Sequence, residues 1–195
     1  ILRDAACGLS YMHSLNCLHR DIKPKNLMLD ATGTVKITDL GLACVVIGQT
    51  AVAEMGLAAA RRNRMCGTPA YLAPEAISGV ADGERVDVYS FGIILWELAT
   101  EAIPYEGLPT PTVLFQVVAK DRRPVLEGAC SPNGAPLPAS LCDLIAACWS
   151  AQPQRRPTFR RALDVLEALV EVNRADAGRE GGSGGPQGGA KGQAA

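Results

Sequence analysis

The sequence predicts a mainly α-helical fold with short β hairpins, and three observations carry that reading. Apolar residues recur at helical spacing in three long stretches, Leu2 to Leu15, Arg85 to Thr100 and Phe159 to Val172. Two short apolar runs, Leu27-Met28-Leu29 and Val35-Lys36-Ile37-Thr38, flank the turn Asp30-Ala31-Thr32-Gly33-Thr34, the pattern of a hairpin. With 195 residues, 48% of them hydrophobic, the chain can bury one sizeable core.

Taken in order, residues 1 to about 17 read as the first helix, with Leu2, Ala6, Leu9 and Met12 at helical spacing. That pattern is already running at Ile1, so the start is expected to be cut into a longer structure. The polar string His19-Arg20-Asp21-Ile22-Lys23-Pro24-Lys25-Asn26 follows, between apolar flanks. Such a segment cannot cross a core, so it is expected as a short loop at the lip of one. Asp21 can accept a proton, Lys23 can meet a phosphate, and Asn26 can offer a carbonyl oxygen to a hard cation. A plain polar turn, in which Asp21 and Asn26 cap nearby backbone, would also account for these residues. The hairpin that follows would bring Asn26 and Asp39 side by side at its outer ends, where oxygen atoms from two segments can converge on one cation.

Gln49 to Ala60 is rich in alanine and predicts a short helix. Arg61, Arg62 and Arg64 after it read as a solvated basic face. Arg85 to Thr100 is apolar around nearly its whole circumference, as a central buried helix requires. Pro104 to Pro111 reads as a loop, Thr112 to Lys120 as a helix, and Arg122 to Pro138, with four prolines, as a long loop. Ser140 to Ser150 and Phe159 to Val172 are the last helices. From 175 to 195 the composition turns to Gly, Ala and Gln, and a disordered tail is expected.

Composition narrows the function. A net charge of -1 gives no push towards nucleic acid or anionic membrane. The longest apolar run, Phe91 to Ala99, is too short to span a bilayer and contains Glu97. The seven cysteines are scattered and odd in number, which suits neither a zinc site nor a disulfide framework, so reduced thiols and a cytoplasmic address are expected. His13, Cys17 and His19 lie close in sequence, but their spacing lacks metal-ligand geometry.

Three motifs in order then point to one family. His19-Arg20-Asp21 with Asn26 five residues after the aspartate resembles the His-Arg-Asp-x-x-x-x-Asn catalytic loop of protein kinases. Asp39-Leu40-Gly41 follows, with leucine where that family usually has phenylalanine, and then Gly67-Thr68-Pro69-Ala70-Tyr71 before Ala73-Pro74-Glu75. Lys23 and Thr68 resemble the serine/threonine type. Asp87-Val88-Tyr89-Ser90-Phe91-Gly92 and Cys148-Trp149 through Phe159 resemble the tyrosine-kinase-like group of such enzymes.

The resemblance implies that residues 1–174 are the larger, C-terminal lobe of a kinase domain. No G-x-G-x-x-G loop and no Val-Ala-x-Lys strand occurs in the chain, so the small lobe is expected to be absent and the chain inactive alone. It implies further that Asp21 orients the acceptor hydroxyl and receives its proton. Asn26 and Asp39 would hold Mg2+ on the phosphates of ATP, and Lys23 would neutralise the transferred group. Thr68 would steady Asp21 and Lys23. Met28 would lie under the adenine, on Ile94 and Leu98, while His19 and Leu40, followed by Gly41, would join a regulatory column. Asp87 would hold the catalytic loop, and Glu75 with Arg156 would form a structural ion pair. Arg20 could receive a phosphate on Thr50, which is the only hydroxyl between Asp39 and Thr68. The partners implied are ATP and a protein substrate with a Ser/Thr acceptor, with no nucleic acid. The alternative is a pseudokinase or scaffold lobe that binds protein partners without catalysis; a hydrolase built on Asp21 and Asp39 lacks a motif to place its nucleophile.

Overall fold

The computed structural model describes residues 1–47, 50–54, 67–79 and 83–180. Its centre is a helix, α3 (Arg85–Thr100), in which every residue from Val86 to Trp96 is buried. The apolar circumference read from the sequence is therefore wrapped on all sides, and Phe91, Ile93, Ile94 and Leu95 have no exposed surface. Burial of each such side chain stabilises the fold by roughly 1.5–3 kcal/mol.

Around this axis stand α1 (Leu2–Ser14), α2 (Pro74–Ser78), α4 (Thr110–Ala119), α5 (Ala139–Cys148) and α6 (Phe159–Glu180). The first and last helices pack together, and α5 bridges α3 and α6. Phe159, 1% exposed, is their shared contact. Its ring meets Phe91 of α3 edge-on at 5.3 Å and His13 of α1 at 4.8 Å.

Two small antiparallel sheets complete the fold. One is the expected hairpin, β2 (Leu27–Leu29) with β3 (Val35–Ile37), in the register Leu27 to Ile37 and Leu29 to Val35. Asp30 holds its turn by accepting from the backbone N–H groups of Thr32 and Thr34. The hairpin lies close against α1, where a Cβ on Gly8 would stand 2.7 Å from Ile37 Cδ1. The other sheet, in the order β1 (Cys17–Leu18), β4 (Cys44–Ile47), β5 (Thr50–Glu54), brings the segment after Asp39 back beside the start of the catalytic loop.

Several expectations need correction. The first helix stops at Ser14 rather than near 17, because Asn16 turns left-handed (φ 54°) and frees Cys17 and Leu18 to pair with β4. Thr50–Glu54 is a strand, not part of a helix: the open edge of β4 supplies a hydrogen-bonded partner, and pairing overrides alanine's helix propensity. The rest of the alanine-rich run and Arg61, Arg62 and Arg64 lie outside the described residues. The last helix continues to Glu180, six residues into the stretch expected as tail, carried by good helix formers such as Ala175, Ala177, Arg179 and Glu180. The short α2, unread in the sequence, has Pro74 at its start and left-handed Gly79 (φ 67°) at its end.

Candidate active site

The polar loop His19 to Asn26 leaves β1 and is hung on Asp87, in the first turn of α3. Asp87, 1% exposed, accepts the backbone N–H of His19 on Oδ2 and that of Arg20 on Oδ1, both at 2.8 Å. The His13 imidazole also meets Oδ2, at 2.9 Å. Arg20 takes a left-handed backbone (φ 68°) to aim its N–H inward. That conformation costs about 1–2 kcal/mol for a non-glycine residue, whereas each hydrogen bond to a buried charge contributes about 1.5–3 kcal/mol. The bonds to Asp87 therefore win, and they also satisfy a carboxylate that would be expensive to bury bare.

His19 is fully buried and ties the loop to the hairpin. Its Nδ1 accepts from the Asp21 N–H at 3.3 Å, which places the ring proton on Nε2, 3.0 Å from the Thr38 carbonyl. Thr38 in turn donates its N–H to the Asn26 carbonyl at 2.9 Å. Both ends of the hairpin are thereby fixed to the loop, and Asn26 is bonded to Thr38, the residue before Asp39.

Asp21, Lys23, Asn26 and Thr68 converge. The Thr68 hydroxyl donates to Asp21 Oδ1 at 3.0 Å, and Lys23 Nζ donates to Asp21 Oδ2 at 2.5 Å and to Thr68 Oγ1 at 3.1 Å. From the other side Asn26 Nδ2 donates to the Asp21 carbonyl at 2.8 Å. Asp21 and Asn26 are 8% and 5% exposed, so neither wanders. Thr68 reaches this position because Gly67 precedes it. At φ 110° a side chain there would be strained, and a Cβ would stand 2.9 Å from the Arg20 carbonyl oxygen.

The side of the site towards Met28 and Asp39 is more open. Asp39 is exposed and left-handed (φ 62°), with Oδ1 accepting from Gly41 N–H at 3.4 Å. Leu40 is 40% exposed and Met28 57%. Leu27 next to Met28 packs on the core, as do Val35 and Ile37 of the facing strand. Asn26 uses its amide nitrogen on Asp21, which turns its carbonyl oxygen into an available donor atom for a cation. With the Asp39 carboxylate this gives an all-oxygen set suited to Mg2+, which takes one or two protein ligands and completes its shell with phosphate and water.

Beyond Thr68 the chain turns through Pro69–Tyr71 and is tied to α3. Ser90 Oγ donates to the Tyr71 carbonyl at 2.7 Å, and the Tyr71 hydroxyl donates to Glu97 Oε2 at 2.8 Å. Burial pushes both the Tyr71 hydroxyl and the Glu97 carboxyl up from their usual ranges. Glu75 and Arg156 form the expected ion pair. Arg156 NH1 meets Oε1, its NH2 meets Oε2 at 2.9 Å, and the guanidinium also caps the Ser150 and Arg85 carbonyls. Thr50 opens β5 opposite Ile47, but its side chain lies outside the described residues.

Sequence reasoning missed three contributors. His13 was weighed there only as a metal ligand; it hydrogen-bonds Asp87. Gly67 and Ser90 appeared only as letters within motifs, and their roles depend on contacts with Arg20 and Tyr71 that no local pattern displays.

The chain matches the protein kinase domain over residues 1–166 and belongs to that family. It is 38% identical over 168 residues to the serine/threonine/tyrosine-protein kinase HT1 of Arabidopsis thaliana, covering 86% of this chain and 39% of that protein. It is also similar to two proteins of Dictyostelium discoideum. These are the probable serine/threonine-protein kinase drkB (37% identical, 85% of this chain, 22% of that protein) and the dual specificity protein kinase shkB (37%, 87% and 24%). The chain thus spans less than half the length of each. Among the described residues no helix is long and apolar enough to cross a membrane.

Proposed function

We propose that this chain is the larger lobe of an ATP-dependent protein serine/threonine kinase, carrying the base, the metal ligands and the platform for the protein substrate. The observation that carries the reading is the Asp21 carboxylate held between Thr68 and Lys23. One lone pair of Oδ1 is taken by Thr68; the other is left for the acceptor hydroxyl. As the acceptor oxygen bonds to the γ-phosphorus and the bond to the departing ADP oxygen breaks, the hydroxyl proton passes to Asp21. Lys23, beside both Asp21 and Thr68, meets the negative charge of the transferred group. Asn26 and Asp39 would hold Mg2+, which would supply positive charge to neutralise the ATP phosphates. Met28, exposed on the hairpin, would lie against the adenine. The glycine-rich loop and lysine that cover ATP would come from polypeptide outside this sequence, and the chain alone would be inactive. The scattered cysteines support a cytoplasmic setting.

The test is phosphoamino-acid analysis of a mixed peptide library treated with the longer natural protein that contains this chain, with Mg-ATP. Phosphoserine and phosphothreonine are expected. Phosphotyrosine as the main product would overturn the specificity, and no transfer at all would favour a scaffold.

A further inference from the structure

We propose that Lys25 is a specificity-determining residue that draws acidic side chains of the protein substrate to the rim of the site. The inference rests on the kinase reading above and extends it to the class of substrate. The loop from His19 to Asn26 carries two lysines with different surroundings. Lys23 is committed inside the site, donating to Asp21 Oδ2 at 2.5 Å and to Thr68 Oγ1 at 3.1 Å, so its charge and that of Asp21 largely cancel. Lys25 is exposed, and among the described residues it has no ion pair and no side-chain hydrogen bond.

The place of Lys25 is fixed by its neighbours. Pro24–Asn26 is a single 3₁₀ turn, closed by the Asn26 N–H on the Lys23 carbonyl at 2.9 Å. Successive side chains on such a turn point about 120° apart. Asn26 turns inward, 5% exposed, with Nδ2 2.8 Å from the Asp21 carbonyl. Lys25 turns outward from a backbone that is tied to the base. Adjacent Cα atoms stand about 3.8 Å apart, so the Lys25 charge sits at the edge of the same loop, within reach of a chain that presents its hydroxyl to Asp21.

An acceptor residue brings its neighbours with it. An extended substrate advances about 3.3 Å per residue. Side chains one to three residues from the acceptor therefore lie within about 10 Å of it, comparable with the Debye length in physiological salt. The acids of the site are engaged elsewhere: Asp21 by Lys23 and Thr68, Glu97 by the Tyr71 hydroxyl, and Asp39, in the proposed reading, by Mg2+. The sequence that enters the acceptor side adds no balance. From Leu40 to Gly67 it holds one acid, Glu54, against Arg61, Arg62 and Arg64. Gly67 itself lies so close that a Cβ on it would stand 3.7 Å from Asp21 Oδ1. A substrate with acidic side chains near its serine supplies the countercharge that Lys25 lacks, and one with basic side chains is repelled.

The test compares one serine peptide in two forms, with glutamates or with arginines beside the acceptor, as substrates of a kinase domain that joins this chain to a small lobe. The wild type should favour the acidic form by roughly tenfold in kcat/KM, and Lys25→Ala should lower that preference by about two- to fivefold, the range of one exposed charge pair. Lys25→Glu should lower it further. Raising the salt from about 0.05 M to about 0.5 M should shrink the wild-type preference as the charges are screened. The Michaelis constant for ATP should stay within about twofold in both variants. A general folding defect would lower the rate on both peptides alike and leave the ratio unchanged. An unchanged ratio in Lys25→Glu would overturn the proposal. So would a raised Michaelis constant for ATP with the ratio intact, which would assign Lys25 to the nucleotide. If the wild type transfers no phosphate to either peptide, the kinase reading falls and the selectivity claim with it. Transfer without an acidic preference refutes the selectivity alone.

Discussion

The two faces of the candidate site are built differently. On the proposed protein-substrate face His19, Asp21 and Asp87 are all under a tenth exposed and linked by a continuous hydrogen-bond network. On the proposed nucleotide face Asp39, Leu40 and Met28 are open, and Asp39 accepts a long bond from Gly41. The contrast teaches where preorganisation resides. On the proposed reading, Asp21, which would meet a flexible acceptor, is fixed before it arrives, whereas Asp39 and Met28, which would meet Mg-ATP, stay open for the ligand to complete.

Stability mutations should break the two faces unequally. Asp87→Ala removes the acceptor of the His19 and Arg20 backbone N–H groups, at about 1–3 kcal/mol each. Thermal unfolding should register a loss of roughly 3 kcal/mol or more. Leu40→Ala on the open face should stay within about 0.5 kcal/mol, the range of surface substitutions. Similar losses in the two variants would mean that the faces do not differ as described.

A smaller effect sharpens the account of the platform. Burial holds the Glu97 carboxyl above its usual value of 4.5, against the opposing pull of the Tyr71 hydroxyl. A carboxyl raised on folding contributes stability that is fully present below its unfolded value and is lost as the pH rises through its folded value. Glu97→Gln cannot titrate, yet its amide oxygen can still accept from Tyr71. The variant should therefore lose the part of the acid-side decline in stability that belongs to Glu97. At neutral pH it should be at least as stable as the wild type, within about 1 kcal/mol. Urea midpoints at several pH values would decide; an unchanged slope would contradict the assignment.

The same contrast explains what the sequence disclosed. Asp21, Lys23 and Asn26 lie within six residues, so their chemistry is local and legible, and Asp39 follows from a hairpin whose turn residues are explicit. The α3 helix was readable because its burial is unbroken from Val86 to Trp96. Thr50–Glu54 was misread because alanine-rich segments favour a helix until a strand edge is offered, and that edge comes from residues 44–47 paired in turn with residues 17–18. His13 was misjudged for a related reason. Its partner Asp87 is 74 residues away, and nothing near His13 in sequence announces a carboxylate.

The central claim, that Asp21 serves the acceptor and Asp39 the nucleotide, is tested most directly by Mg-ATP titration calorimetry on Asp21→Asn and Asp39→Asn in a kinase domain that joins this chain to a small lobe. Asp21→Asn keeps the size of the side chain and loses the proton acceptor, so turnover should fall by about 10²–10⁴ while nucleotide affinity stays within about twofold. Asp39→Asn removes a charged ligand from the cation and should weaken Mg-ATP binding at least tenfold, by the roughly 1.5–3 kcal/mol that an interaction with a charged group contributes. Equal losses of nucleotide affinity in the two variants would contradict the division of the site into a fixed acceptor face and an open nucleotide face.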